Sequence, residues 1–268
     1  MKQKIILITG ASSGFGKKTA TYLAAHGHIV YGTSRKDDTL EHVTMLVMDV
    51  TNRQSVTTAV EQVIAKHGRI DVLINNAGVG IAGAVELATP EEIALQMDTN
   101  FGGVVNVCSV VLPFMRAKRC GLIINLSSIG GVFGIPYQGF YSASKFAIEG
   151  YSEALSLEVA QFGIKVVLVE PGDFSTGFTG SRVISQKTMM DTDYKESFAR
   201  VLKNIEHDEQ NGGDPIYLAK KIGKIVVARR PKLRYVVAPD ILQQASVVLS
   251  KLMCGRHFQW LLRKFYSV

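Results

Sequence analysis

Short, almost continuous apolar runs alternate along the chain with longer stretches whose apolar residues recur every three to four positions. The runs at residues 4–9, 28–33, 45–48, 70–75, 121–126, 165–169 and 234–237 predict strands. Few polar positions interrupt them, which is the pattern of a parallel sheet covered by helices on both faces. The helical period fills residues 14–26, 54–67, 90–117, 139–162 and 215–229. Thr89-Pro90-Glu91-Glu92 opens the third of these, with Thr89 as N-cap, proline in the first turn and acids facing the positive end of the helix dipole. Pro113 is expected to bend the same helix. This alternation predicts one α/β domain over residues 1–268, a doubly wound parallel sheet of about seven strands with right-handed crossovers. One connection breaks the pattern. Only Ser34 to Val43 separates the second and third strands, about ten residues, too few for a crossover helix, so a turn or a single helical turn is expected there.

Composition narrows the class. The 268-residue chain is 47% hydrophobic and 20% charged, as an ordinary globular protein is. Cys108, Cys120 and Cys254 are odd in number and match no metal-ligand spacing, which argues against a disulfide framework and for a reducing, cytoplasmic location. The apolar run after Lys4 is too short for a secretory leader, and no stretch reads as long enough to span a membrane. The net charge of +7 falls late in the chain, on Lys220, Lys221, Lys224, Arg229, Arg230, Lys232 and Arg234, then Lys251, Arg256, Arg263 and Lys264. Two readings stay open: attraction to a polyanion or anionic membrane surface, or a solvated basic face of the kind amphipathic helices show.

The candidate chemistry lies elsewhere. Gly10-Ala11-Ser12-Ser13-Gly14-Phe15-Gly16 follows the first strand and opens the first helix. Glycine permits the tight turn and the close approach of backbone to a pyrophosphate, whose charge the helix N-terminus meets. Tyr141 and Lys145, four apart on a helix, share a face. Ser128, just past the 121–126 strand, stands at the sheet edge where open α/β sheets hold ligands. A cation about 5 Å from a phenol, at an effective dielectric of about 20, contributes roughly 3 kcal/mol, or about two pKa units. Lys145, helped by the positive charge of an oxidised nicotinamide, is therefore expected to bring Tyr141 down into working range as the acid/base of a carbonyl/alcohol pair, with Ser128 hydrogen-bonded to the substrate oxygen.

Thr9-Gly10-x-x-x-Gly14-x-Gly16, Asn75-Asn76-Ala77-Gly78, Tyr141-x-x-x-Lys145 and Pro171-Gly172, in that order over residues 4–176, resemble the short-chain dehydrogenase/reductase family. The extended tail resembles hydroxysteroid- and retinol-dehydrogenase-like members more than compact ketoacyl reductases. The resemblance implies a Rossmann-like fold and a nicotinamide cofactor. It places Asn76, Ala77 and Gly78 by the adenosine, Asp49 and Val50 by the adenine, and Pro171, Gly172, Phe174 and Thr176 by the nicotinamide, with Tyr141 and Lys145 also reaching the cofactor. Asn100 matches the family's fourth catalytic member, which implies a proton relay through water to Lys145. The second strand ends Ser34-Arg35-Lys36; Ser34 replaces the acid that would hold a ribose 2′-hydroxyl and Arg35 suits a 2′-phosphate, which favours NADP(H) over NAD(H). Asp37 and Asp38 close behind leave NAD(H) open.

In the family, residues 174–213 form a lid over the substrate. Here it carries Phe174, Phe178, Val183, Ile184, Met189, Met190, Tyr194 and Phe198, and with Val132, Phe133, Ile135 and Tyr137 it implies an apolar pocket. Arg182 and Lys187 offer an alternative, contact with an acidic substrate such as a carrier thioester. The segment 239–268 is expected as an extension that packs down or joins an oligomer, touches a membrane surface, or is a flexible end. The expected protein is an NADP(H)-dependent oxidoreductase interconverting a small apolar ketone or aldehyde and its alcohol, a homodimer or homotetramer through its third and fourth helices, with no metal and no nucleic-acid partner. A 3-oxoacyl-thioester reductase and a non-enzymatic NADP(H)-sensing protein remain the alternatives.

Overall fold

A computed structural model describes residues 2–268. Its elements in chain order are β1 (Ile5–Ile8), α1 (Gly14–Ala25), β2 (Ile29–Ser34), β3 (Thr44–Val47), α2 (Arg53–His67), β4 (Val72–Asn75), β5 (Ile81–Ala82), α3 (Pro90–Met97), α4 (Gly103–Lys118), β6 (Gly121–Leu126) and α5 (Gly139–Val159). There follow β7 (Ile164–Pro171), α6 (Phe178–Ser181), β8 (Val183–Ile184), α7 (Gln186–Met190), α8 (Lys195–Gln210), α9 (Pro215–Val227), β9 (Arg234–Val237), α10 (Ile241–Leu252) and α11 (Gly255–Tyr266).

Seven strands form one parallel sheet in the order β3-β2-β1-β4-β6-β7-β9. The apolar runs are continuous because both sheet faces are covered, and successive side chains take opposite faces. In β1, Ile5 and Leu7 pack with Val56 and Val60 of α2, Val107 and Val111 of α4 and Ile148 of α5. Ile6 and Ile8 pack on the other side with Leu23 of α1 and Leu218 and Ile222 of α9. The chain progresses from β1 to β3 in one direction and from β4 to β9 in the other. Its switch point, a crevice at the C-terminal ends of β1 and β4, is where such sheets bind ligands.

The short connection after β2 is helix-free, as expected, with a bridge between Leu40 and Val43. Thr89 caps α3 as a reciprocal box: its hydroxyl accepts from the Glu92 N–H at 3.2 Å and Glu92 accepts from the Thr89 N–H at 2.9 Å. The single helix expected over 90–117 is interrupted by a π-helical turn, Asp98–Gly102, between α3 and α4. One further expectation is corrected here. The joined stretch Pro90–Lys118 is long and apolar enough, by length and composition, to cross a membrane. Its most apolar face, however, lies against the sheet through Val104, Val107, Val111 and Met115. Residues 174–213 are more regular than their sequence indicates, with α6, α7 and α8 among them and the two-residue strand β8 paired with β5. The C-terminal segment forms α10 and α11, which pack back through Val247 and Phe258 onto Ile129 and Phe133. Lys251, Arg256, Arg263 and Lys264 on these helices stay exposed.

Candidate active site

The glycine turn and the fourth strand build one end of the site together. Gly10 and Gly14 both have positive φ, +67° and +50°, a region that side chains other than glycine rarely occupy. A Cβ on Gly10 would lie 2.9 Å from the Ala77 Cα, and one on Gly16 would collide with the Gly10 carbonyl oxygen. The Asn-Asn-Ala-Gly segment clamps this turn. Thr9 Oγ1 accepts the backbone N–H groups of Asn76 and Ala77, each at 2.9 Å, while the Asn76 amide donates to the carbonyls of Thr9 at 2.8 Å and Gly10 at 2.9 Å. At the start of α1, Ser13 makes no side-chain cap and the first turn has no acid, so the N-terminal N–H groups are left for an external anion.

The other end hangs on β6 and α5. Ser128 lies two residues beyond β6 in extended conformation, its Oγ accepting the Gly130 N–H at 3.0 Å while its own hydroxyl is within hydrogen-bonding reach of the Tyr141 oxygen. Tyr141 and Lys145 project from one face of α5, with the Lys145 Nζ 5.7 Å from the Tyr141 ring centroid. Lys145 is buried and donates to the Leu126 carbonyl at 2.9 Å, which ties the helix to the end of β6. The rings of Phe178 and Tyr141 are 5.9 Å apart, so α6 roofs the phenol.

Both ends open into one cavity of about 580 Å³. Of the residues assigned from sequence, Gly10, Ser12, Ser13, Gly14, Phe15, Ser34, Arg35, Asp49, Val50, Asn76, Ala77, Gly78, Ser128, Tyr141, Lys145, Pro171, Gly172, Phe174 and Thr176 line it. Gly16 does not; it serves the close packing of turn and helix. Asn100 does not line it either. Its side chain lies wholly buried behind the wall, accepting from the Val79 N–H at 2.8 Å and donating to Ser144 Oγ at 3.0 Å. Those bonds brace the π-helical turn against α5 and hold Asn100 in place behind the wall. Lys36 joins Arg35 on the wall, whereas Asp37 and Asp38 stand outside it and Asp38 accepts from the neighbouring Thr39 N–H at 2.8 Å.

The protein's own groups hold the tyrosine up. Burial pushes the Tyr141 phenol up to about 12; the Ser128 hydrogen bond pulls against this, Glu209 and Asp173 add to it, and Arg182 opposes them. Burial likewise lowers Lys145 to about 8, opposed by Glu149. Desolvation outweighs the pulls of Ser128 and Arg182, so the protein alone holds Tyr141 protonated at neutral pH.

The apolar wall is narrower than the sequence indicates. Phe174, Phe178 and Ile135 line the cavity, but Phe133 is buried against Phe258, Phe198 is packed inside the lid, and Met189 and Met190 are exposed. Arg182 is not available to an acidic substrate, since it is buried and ion-paired with Glu209, and Lys187 is exposed. Sequence reasoning passed over Asp173, Thr179, Ile205, Asp208, Glu209 and Tyr266, all on the cavity wall. Asp173 follows Pro171-Gly172 directly and was within reach of the motif; no local signal marks the others.

The residues fit a dinucleotide on structural grounds: a glycine cradle that any Cβ would fill, uncapped helix N–H groups for the pyrophosphate, and Arg35 and Lys36 at the ribose end. Known proteins agree. The family model described as short chain dehydrogenase matches residues 4–187. The chain is 59% identical to 3-ketodihydrosphingosine reductase of Bacteroides thetaiotaomicron over 100% of both chains. It is 36% identical to NADPH-dependent 3-dehydrocapnine reductase of Ornithobacterium rhinotracheale, over 87% of each. The crystal structure of a short-chain dehydrogenase from Streptomyces avermitilis matches with a TM-score of 0.83 at 32% identity, covering 94% of this chain and 93% of that one. With the glycine cradle, the parallel sheet and the Ser128–Tyr141–Lys145 arrangement in place, the chain belongs to the short-chain dehydrogenase/reductase family, oxidoreductases acting on CH–OH groups with NAD(P).

Proposed function

We propose that this protein is an NADPH-dependent reductase of the 3-keto group of a long-chain sphingoid base, a 2-amino-1-hydroxy-3-ketone of the 3-ketodihydrosphingosine type. The observation that carries this reading is the 59% identity to 3-ketodihydrosphingosine reductase, which runs the full length of both chains and so includes the lid and the C-terminal helices that close the cavity. Arg35 and Lys36 on the wall, with Asp37 and Asp38 off it, support NADPH over NADH. Bound NADPH supplies the hydride. The chain's own residues supply the proton and hold the oxygen. Tyr141, protonated at neutral pH, donates to the carbonyl oxygen as negative charge develops there, and Ser128 donates a hydrogen bond to the same atom.

Absorbance at 340 nm, with 3-ketodihydrosphingosine and equal concentrations of NADPH or NADH, tests both parts. Expected is reduction with kcat/KM about tenfold or more higher for NADPH. Turnover of a steroid ketone or an acetoacetyl thioester, with none of the long-chain amino ketone, would overturn the substrate assignment.

A further inference from the structure

The wall facing the catalytic end carries an unusual charge. Asp173, just past β7, and Asp208 and Glu209, in the last turn of α8, all line the cavity. Three carboxyls meet one guanidinium, Arg182, whose charge is committed to Glu209. Glu209 also accepts from the Thr179 hydroxyl at 2.6 Å. Asp173 is held in place by Gln243, whose amide donates to its carboxylate at 2.8 Å while the amide oxygen accepts the Asp173 N–H at 2.8 Å. The chain as a whole is basic, with a net charge of +7, so a local acidic surplus runs against its overall composition.

Tyr266, on the last turn of α11, supplies an independent observation. It is 8% exposed, packed against Val201 and Ile205, and on the cavity wall. Its hydroxyl takes no hydrogen-bond partner among the described residues and shares the cavity wall with Asp173, Asp208 and Glu209; burial, and then these three acids, push its ionisation upward. A hydroxyl on a cavity wall that has no partner in the protein is free to hydrogen-bond a bound ligand. The group that three carboxylates and a phenol oxygen all accept from is a cation with several N–H donors. The subsite and the reacting carbonyl position share one cavity, since Asp173, Asp208, Glu209 and Tyr266 line it together with Ser128 and Tyr141.

We propose that Asp173, Asp208, Glu209 and the Tyr266 hydroxyl form an ammonium subsite that binds the protonated 2-amino group of the substrate and so selects α-amino ketones over plain long-chain ketones. The assignment rests on the reading of the function given above and deepens it. The amine, one carbon from the carbonyl, is anchored on this wall while the oxygen meets Tyr141 and Ser128. The alkyl chain is left to the apolar side of the cavity, where Ile135, Phe178 and Ile205 stand.

Calorimetric titration of the full-length, NADPH-loaded protein with dihydrosphingosine, and with the same-length 1,3-diol lacking nitrogen, both below their aggregation limits, reads the subsite without turnover. The amine is expected to bind about tenfold or more tighter than the diol, the range of a charge-assisted hydrogen bond. That preference should collapse to within about twofold in Asp173→Asn and in Asp208→Asn. Asp208 is half-exposed on its helix, so its variant does not depend on the core. Equal binding of the two ligands by the wild-type protein would overturn the proposal. So would a preference that survives both substitutions, or a loss of equal size for both ligands. The keto substrate is assayed in parallel. Amine preference without its reduction would leave the subsite standing and remove the reductase reading; reduction without amine preference would do the reverse.

Discussion

Tyr141 sits between two opposing forces, a neighbouring ammonium that favours phenolate and a buried position that favours phenol. Sequence spacing makes the first visible, because residues four apart on a helix are neighbours. The second depends on the lid and the C-terminal helix closing overhead, which spacing does not encode. In the folded chain burial wins, raising Tyr141 to about 12 while bringing Lys145 to about 8. Tyr141→Phe removes the proton donor and leaves the ring in its place against Phe178. Reduction should fall about 10²- to 10⁴-fold, the range of a lost general acid, while NADPH affinity measured by fluorescence titration changes less than about twofold. A variant with more than about a tenth of wild-type turnover would show that another group protonates the oxygen. Asn100 illustrates the same limit of sequence. Its place in the motif was legible, but the bonds to Val79 and Ser144 that occupy its side chain arise from the π-helical turn, which no periodicity announces.

Strands and long helices were readable because the forces that make them are local and repetitive. Each predicted strand falls within about two residues of its observed limits, the usual boundary error, and the ten-residue connection after β2 is turn-like for the reason of length given. What escaped was non-local. β5 and β8 are two-residue strands whose pairing joins residues about a hundred positions apart, and neither has a pattern of its own. The tail was legible as amphipathic but not as part of the site, because what it covers is set by docking. α11 is held by the Phe258 ring, edge-on to Phe133 with centroids 5.4 Å apart, and this docking places Tyr266 on the cavity wall. Phe258→Ala removes a contact of about 3–5 kcal/mol if the site cannot collapse. The expected result is local release of α11, seen as tryptic cleavage after Arg256 or Arg263 at protease levels that spare the wild type. KM for the long-chain ketone should rise about tenfold, while the NADPH dissociation constant stays within about twofold because the glycine turn lies at the other end. A parallel loss of NADPH affinity would mean that α11 supports the whole sheet edge and not the substrate end alone.

Across the whole molecule, the cavity at the switch point of the sheet is divided by charge. Arg35, Lys36 and the free N–H groups of α1 stand at the end suited to phosphates, and Asp173, Asp208 and Glu209 stand at the other. Gathering carboxylates in a partly desolvated wall works against folding, and Asp173 records this most clearly. Burial raises its carboxyl to about 7, and Glu209 and Asp208 on α8 and Asp240 at the start of α10 push the same way against Arg182. Unfolded, the same carboxyl titrates near 3.8. A folded-state pKa above the unfolded one means that the native state holds the proton longer. The contribution of Asp173 to stability is therefore fully present below about pH 4 and is lost as pH rises through about 7. Asp173→Asn keeps an acceptor for the Gln243 amide and removes the charge. The ligand-free variant should thus gain melting temperature over the wild type as pH rises, by about 3 °C or more at pH 8 relative to pH 5, since ~1 kcal/mol corresponds to about 2–4 °C at this size. Adding dihydrosphingosine should then reverse the order at pH 8, because the ammonium stabilises the wild-type carboxylate and finds none in the variant. Differential scanning fluorimetry at the two pH values, with and without the amine, reads both effects. A melting difference that does not change with pH would mean that Asp173 is ionised in the native protein throughout, and that this wall carries no stored cost for a cationic substrate to relieve.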